Sequence, residues 1–418
     1  MTGSKLDDFL ESVHGSGTCQ SCHQGAADRT FETMEEAHTG MVRDPSAVGA
    51  CDGCHADVAA ATANSLHTNL WGEKKLIETR GNCTFEGSGY EPFFDQKCAG
   101  CHTTCGQCHI SRPNSVGGGF PKTVSYLSHS IQRTPHMTEQ CTACHGSRVG
   151  TDYLGQIEGN SPDTHYSRGM RCEACHTADE IHGDNQHDGD HYEHRYEVKT
   201  MPRCEECHSD GSASSYAVDT GSDCGRCHVN GVGSDPVEVP LALVNHAHHI
   251  ADNSDCAHCH RDGVPATTPS NMQCQVCHSQ PYKNCTNCHN LVADEKYDID
   301  PSRIQFKIAH NPRTDYRGEY DYVVVRHVPV DPNSYADWGL VLDQANYVSE
   351  PTWKYASPHN ILKSTPQTTP PEGETSCSAS CHGNAGGVFL TESDLYEDDG
   401  VTRLPDYDAN TGIVIDGK

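Results

Sequence analysis

The sequence predicts a chain of mostly irregular coil, with short helices and very few strands, wrapped around something other than its own side chains. Three observations predict this. Only 34% of the 418 residues are hydrophobic, even with 25 cysteines and 17 tyrosines in that count, whereas globular domains carry ~45–50% apolar residues with glycine included. Segments with helical or strand character are short and scattered. Cysteine is spent almost wholly in one pattern, Cys-x-x-Cys-His, which recurs at irregular intervals.

The densest stretch sets two of these pentads end to end: Cys98, Cys101 and His102, then after two residues Cys105, Cys108 and His109. Upstream stand Cys19, Cys22 and His23, and then Cys51, Cys54 and His55. Downstream come Cys141, Cys144 and His145, and Cys172, Cys175 and His176. Cys204, Cys207 and His208 follow, with Cys224, Cys227 and His228 close behind. Three more crowd the next stretch: Cys256, Cys259 and His260; Cys274, Cys277 and His278; Cys285, Cys288 and His289. A stretched form, Cys377, Cys381 and His382, has one extra residue between its thiols and makes a twelfth. The twelve motifs use 24 of the 25 cysteines and leave only Cys83. Chance at this composition gives about 0.1 such pentads.

The pentad is the attachment signature of c-type haem, and its chemistry needs each residue where it stands. Two thiols add across the two vinyl groups of one porphyrin, and the adjacent His lies under the iron as proximal ligand. A disulfide scaffold would pair cysteines but would not place His after every second one. Zinc knuckles join one Cys-x-x-Cys half to another at regular spacing and need no adjacent His. Twelve haems c would supply the apolar core that the side chains lack, so the chain without them is expected to be largely unfolded. The paired pentads at 98–109 must set two haems almost in contact, an arrangement suited to passing electrons.

Twelve irons need twelve further ligands if all are six-coordinate. The motifs leave seventeen of the 29 histidines, but only six methionines stand beyond Met1, so bis-His ligation can be general and His/Met ligation cannot. A thioether ligand raises the potential, and bis-His haems are correspondingly low. Context selects the distal candidates. His14 precedes Cys19 by five residues, and His165 and His249 precede Cys172 and Cys256 by seven. His38, His67, His129 and His246 lie beside helical or apolar residues, and His310, His327 and His359 stand in a stretch that has no motif. His182 and His194 end an acidic, His-rich segment in which His187 and His191 read as solvated. His136, His248 and His258 are reserves.

Motif density divides the chain into 1–97 (haems one and two), 98–289 (a dense array of nine), 290–376 (a motif-free wrapping segment that delivers ligands) and 377–418 (the last haem and an acidic tail). Helical character is expected over 32–38, over 58–70, where Ala59, Ala60, Ala61 and Ala63 favour it, and over 241–250. The stretch 81–90 is turn-rich and holds Cys83, either a buried thiol or one half of an intermolecular disulfide. The β-branched and aromatic run 320–328 reads as a strand. Gly117, Gly118 and Gly119 give only a weak phosphate-loop signal, and 406–412 alternates oxygen ligands but misplaces the EF-hand glycine, a weak calcium signal.

With 58 acidic against 29 basic residues the formal charge is −29. Such a field disfavours nucleic acid and anionic membrane surfaces and favours cationic partners. No run of ~18 apolar residues exists to span a membrane. The first residues lack a hydrophobic signal region; covalent haem attachment generally takes place outside the cytoplasm, so the expected location is the periplasm or cell exterior, with a leader removed.

On these motifs, and on phrases such as Cys105-Gly-Gln-Cys108-His109-Ile-Ser-Arg-Pro and Trp353-Lys-Tyr-Ala-Ser-Pro-His359-Asn, the chain resembles the multihaem c-type cytochromes of anaerobic respiration. It looks most like the long extracellular or periplasmic cytochromes of metal- and sulfur-respiring microbes, among them those that polymerise into haem-lined filaments. The resemblance covers 14–382. It implies long-range electron transfer along a continuous chain of stacked haems, with other cytochromes, or copies of this chain, as partners at the terminal haems. The stretched twelfth motif departs from the common pattern and leaves that haem's ligation less determined. The alternative is a multihaem reductase with one open haem site, acting on nitrite, hydroxylamine or tetrathionate. Some of those enzymes carry Lys in place of the motif His, and here every motif ends in His. Metal storage by the His-rich acidic segment is a third, weaker reading.

Overall fold

The structure, a computed structural model, describes residues 9–25, 30–97, 103–112, 131–184, 192, 194–204, 272–280, 291–292, 295–296, 306–328, 346, 349–369, 372, 381 and 387–415. This part is largely irregular, with short helices and one small three-stranded antiparallel sheet. The chain forms two compact units whose segments interleave. One comprises Met1–Thr79, Cys83–Gly150 and Arg171–Met201; the other comprises Arg80–Asn82, Thr151–Met170 and Pro202–Lys418. The expected helix at 241–250 and the glycine run at 117–119 lie outside the described residues.

In the first unit, side-chain caps set the ends of short helices. Thr33 accepts from the Glu36 N–H and starts the helix Met34–His38. The alanine-rich segment expected as one helix is two, Ala56–Ala63 and Leu66–Asn69. Ser65 separates them: its hydroxyl accepts from the His67 N–H and donates to the Ile181 carbonyl at 2.8 Å, and a capping serine favours a new N-terminus over continuation. Two further helices, Trp71–Gly81 and Tyr90–Lys97, flank the turn-rich stretch that holds Cys83. Aromatic side chains of the two helices and of the stretch between them form an apolar centre. Phe85 and Phe94 meet edge to face at 5.3 Å, Trp71 lies 6.3 Å from Phe85, and the Lys74 ammonium sits 5.4 Å from the Phe85 ring. Such aromatic and cation–π contacts add about 0.5–1.5 kcal/mol each beyond area burial.

In the second unit, a hairpin of β1 (Leu291–Val292) and β2 (Glu295–Lys296) precedes the sheet. The sheet contains β3 (Phe306–His310), β4 (Tyr322–His327) and β5 (Trp353–Tyr355), with β4 in the centre. The expected strand over 320–328 is therefore β4. Val323, Val324 and Val325 are all buried, so both faces are covered and the sequence shows a continuous β-branched run rather than alternation. Ile308 pairs with Val324, and Val325 with Tyr355.

The core of Val276, Ile308, Val324, Ala356 and Ile415 ties this sheet to the motif helix Gln275–His278. Gln273 is the peg. Its carbonyl accepts from the Val324 N–H at 2.9 Å, and its amide donates to the Ala356 carbonyl at 2.9 Å and the Tyr355 hydroxyl at 3.1 Å.

The C-terminal turn is latched to β5 by a second buried amide. The Asn410 carbonyl accepts from the backbone N–H groups of Thr352 and Trp353 at 3.0 and 3.2 Å, while its amide donates to the Thr352 hydroxyl and the Asp406 carbonyl. The Asp406 carboxylate accepts from Thr352 and His327. Two of the side chains that gave the calcium signal, Asp406 and Asn410, thus accept hydrogen bonds from within the fold. Asn410→Ala would leave two buried N–H groups unpaired and is expected to cost about 2–4 kcal/mol, read as a lower chaotrope midpoint by far-ultraviolet circular dichroism of the holoprotein.

Candidate haem sites

Residues at i, i+3 and i+4 share one face of a helical turn, so a helical Cys-x-x-Cys-His puts two sulfurs and one imidazole on the same side. The described motifs adopt this turn. Helices cover Cys19–His23, Cys105–His109, Thr142–His145 and Gln275–His278. Where the turn is tighter or irregular, the His N–H still closes onto the first Cys carbonyl, at 3.0 Å for His55 on Cys51 and 2.8 Å for His176 on Cys172. None of the fifteen described cysteines is in a disulfide.

The histidine rings are oriented by their Nδ1 atoms. Among motif histidines, Nδ1 of His23 bonds the Val42 carbonyl at 2.8 Å, that of His109 the Gln132 carbonyl at 2.7 Å, and that of His278 the Leu362 carbonyl at 3.0 Å. His176 instead meets the Glu180 carboxylate at 2.8 Å. Outside the motifs, His38 meets the Met34 carbonyl at 2.6 Å, His359 the Ser357 carbonyl at 2.8 Å and His165 the Asp163 carboxylate at 2.9 Å. A carbonyl or carboxylate only accepts, so Nδ1 carries the proton and the neutral ring has its lone pair on Nε2, the form that binds a metal.

Three motif histidines each face a histidine from outside the motifs. Ring centres are 6.3 Å apart for His14 and His55, 6.1 Å for His67 and His145, and 6.0 Å for His109 and His182. Bonds of ~2 Å from one iron to imidazole nitrogens on opposite sides, with each ring centre about 1.1 Å behind its nitrogen, give ~6.2 Å between centres. The interplanar angles of 20°, 68° and 33° differ, as rotation about each metal–nitrogen axis allows. The donor set and its spacing therefore fit a bis-His haem.

Local sequence explains how the outer histidines arrive. His14 lies in the turn Val13–Ser16, started by the Ser12 side chain. His67 follows the Ser65 cap, and the same serine holds the Ile181 carbonyl beside His182. Gly183 ends the helix Ala178–His182 with φ +86°, and a Cβ there would meet the Ala61 carbonyl at 2.9 Å. Only glycine allows both that conformation and that approach. On the motif side, Thr104 donates to Asp44 at 2.6 Å, and the Gly106 N–H donates to Ser46 at 2.8 Å, seating the Cys105–His109 helix on a neighbouring turn.

Burial, then the neighbouring His145 ring, lowers the His67 pKa to about 4, so the ring is neutral at ordinary pH. Thiols of different motifs also meet. The Cys51–Cys105 hydrogen bond raises Cys51 and lowers Cys105 to about 6, and that between Cys141 and Cys172 raises Cys172 and lowers Cys141. Burial pushes Cys108 up to about 11. The remaining cysteine, Cys83, is half-buried, and burial followed by Glu78 raises its thiol.

In the second unit, two buried carboxylates organise the segments around His165, His278 and His359. Asp163 accepts from the backbone N–H groups of His165 and Ile361, each at 2.6 Å, as well as from the His165 ring. Asp152 accepts from the His359 N–H at 2.7 Å, and burial pushes its carboxyl up to about 7. Leu362 returns its N–H to the His278 carbonyl at 2.8 Å.

The other distal candidates are placed differently. His310 is exposed at the end of β3, with its ring 5.0 Å from Tyr322, and His194 precedes the turn Arg195–Glu197. Nδ1 of the reserve His136 lies 3.2 Å from the Thr138 hydroxyl. His327 lies within the sheet. It is buried in β4, stacked at 4.9 Å on Trp353, with Nε2 bonded to Asp406 at 3.2 Å. Its Nε2 is thus engaged within the sheet core. The β-branched run that makes β4 a central strand also carries this histidine inward.

Cys98, Cys101, His102, Cys207, His208, Cys224, Cys227, His228, Cys256, Cys259 and His260 lie outside the described residues, as do Cys285, Cys288, His289, Cys377 and His382 and the candidates His129, His246 and His249. The reserves and solvated histidines His187, His191, His248 and His258 do so too. Sequence reading missed the acceptors behind the rings. Backbone carbonyls such as those of Val42 and Gln132 leave no residue signal, whereas Glu180, four residues after His176, leaves one.

Comparison with family models, curated proteins and solved structures finds no match for this chain. Asp163→Ala would remove three hydrogen bonds to a carboxylate that is 1% exposed. The expected cost is about 3–5 kcal/mol in the second unit, measurable as faster backbone hydrogen exchange over 272–280 and 359–362.

Proposed function

We propose that this chain carries electrons over long distances by means of twelve covalently attached c-type haems, most of them held between two histidines. We place it outside the cytoplasm, in the periplasm or extracellular space, as a soluble conduit or as the repeating unit of a filament. The observation that carries this reading is the set of three histidine pairs with ring centres 6.0 to 6.3 Å apart, each joining a motif histidine to one outside the motifs. Among the described residues no helix is long and apolar enough to cross a membrane.

Bound at such a site, haem c would supply an iron that gains and loses one electron. The chain's part is to hold one geometry. Two cysteines of each motif would tether the porphyrin, and a motif histidine together with His14, His67 or His182 would hold its iron. The Nδ1 hydrogen bond of His109, and those of His23, His176 and His278 at other motifs, keep those ring tautomers fixed. Two protein ligands on one iron leave no position for a substrate there, which favours a conduit over a reductase at these three sites. The −29 charge favours cationic partners and would need masking at any contact between copies.

The test combines a pyridine haemochrome count with EPR of the oxidised protein, with and without nitrite, hydroxylamine and cyanide. The expected result is twelve haems per chain, all low-spin and unaffected by the additions. A high-spin haem that binds them would instead make the protein a reductase. His67→Ala and His182→Ala should each keep twelve haems and convert one of them to high spin. Wholly low-spin spectra from both variants would contradict the pairing.

A further inference from the structure

The acceptor behind His176 differs in kind from those behind the other motif histidines whose Nδ1 contact is described. His23, His109 and His278 bond neutral backbone carbonyls. His176 bonds both oxygens of the Glu180 carboxylate, at 3.0 and 2.8 Å. That side chain is only 9% exposed, so its charge acts where solvent screening is weak. The contact is written into the sequence once: of the twelve motifs, only this one has an acidic residue four positions after its histidine.

The local sequence offers Glu180 another task. Thr177 caps the helix Ala178–His182, and Thr177 with Glu180 has the spacing of a capping box, which would send the carboxylate back to the Thr177 N–H. The threonine fulfils its half, accepting from the Glu180 N–H. The glutamate's oxygens go to the His176 ring instead.

We infer that Glu180 is a positioning and tuning residue: its carboxylate, accepting from the His176 Nδ1–H, lowers the reduction potential of the haem held by Cys172, Cys175 and His176. The physical cause is charge. An anion accepting from the ring raises the basicity of the iron-bound nitrogen, and oxidised iron, with one more positive charge than reduced iron, gains more from both effects. A second-shell hydrogen bond is one of the levers a protein has on haem potential. This site would then be lower than one whose motif histidine meets only a carbonyl, and the chain would hold a step in potential rather than twelve equal sites. The inference rests on the haem reading above.

Glu180→Gln keeps the size and one acceptor oxygen but removes the charge, and Glu180→Ala removes both. Each holoprotein, with wild type, would be taken through a spectroelectrochemical titration and a haem count. The expected result is twelve haems in all three, with the E180Q curve differing from wild type by one haem in twelve moved to higher potential, and E180A moving that haem at least as far. Superimposable curves with twelve haems would overturn the inference and leave the haem reading intact. Eleven haems in E180Q would assign Glu180 to attachment and overturn the tuning role. Wild-type protein without haem would overturn the haem reading itself.

Discussion

Three motif histidines each end about 6 Å from a histidine outside the motifs, and on the proposed reading one shared iron would fix that distance. His55, His145 and His109 come from motifs, while His14, His67 and His182 come from a turn, a capped helix and a glycine-terminated helix. These elements share no sequence pattern. What they share is an end point about 6 Å from a motif ring. The caps at Ser12 and Ser65 and the left-handed Gly183 make sense as devices that stop short helices where a histidine must point.

The second unit adds a different kind of cohesion. Its sheet buries Val323, Val324 and Val325, and Gln273 fastens the neighbouring motif helix to β4 through the Val324 N–H and the Ala356 carbonyl. Asp163 and Asp152 then hold the strips that carry His165 and His359. A buried carboxylate is costly unless its oxygens are used, and here they accept backbone N–H groups, so the expense goes into placing histidines. Hydrophobic burial and the orientation of a motif histidine are thus joined at the Gln275–His278 helix, whose Val276 lies in the core and whose His278 Nδ1 meets Leu362.

Much of this was legible in the sequence, for physical reasons that differ by residue. The motif cysteines and histidines announce themselves because the Cys-x-x-Cys-His spacing recurs far beyond chance. The strand β4 was legible because a centrally buried strand reads as an unbroken β-branched run. The alanine-rich helix was foreseen but its break at Ser65 was not, since a cap competes with helix propensity only when its hydroxyl finds partners, here His67 and Ile181. His14, His67 and His182 could be named as candidates, yet their partners could not, because pairing depends on closure of distant segments. The partner of His327 was illegible for the same reason: its buried aspartate lies 79 residues away. The carbonyls that fix Nδ1 have no side-chain identity and leave no trace in sequence.

The central claim is that these particular rings share an iron. Anomalous scattering at the iron edge from crystals of the holoprotein tests it most directly. The account predicts a single iron midway between His14 and His55, another between His67 and His145, and a third between His109 and His182, each bonded through Nε2. Density placing the two members of any pair on different irons, or leaving either ring unligated, would contradict it.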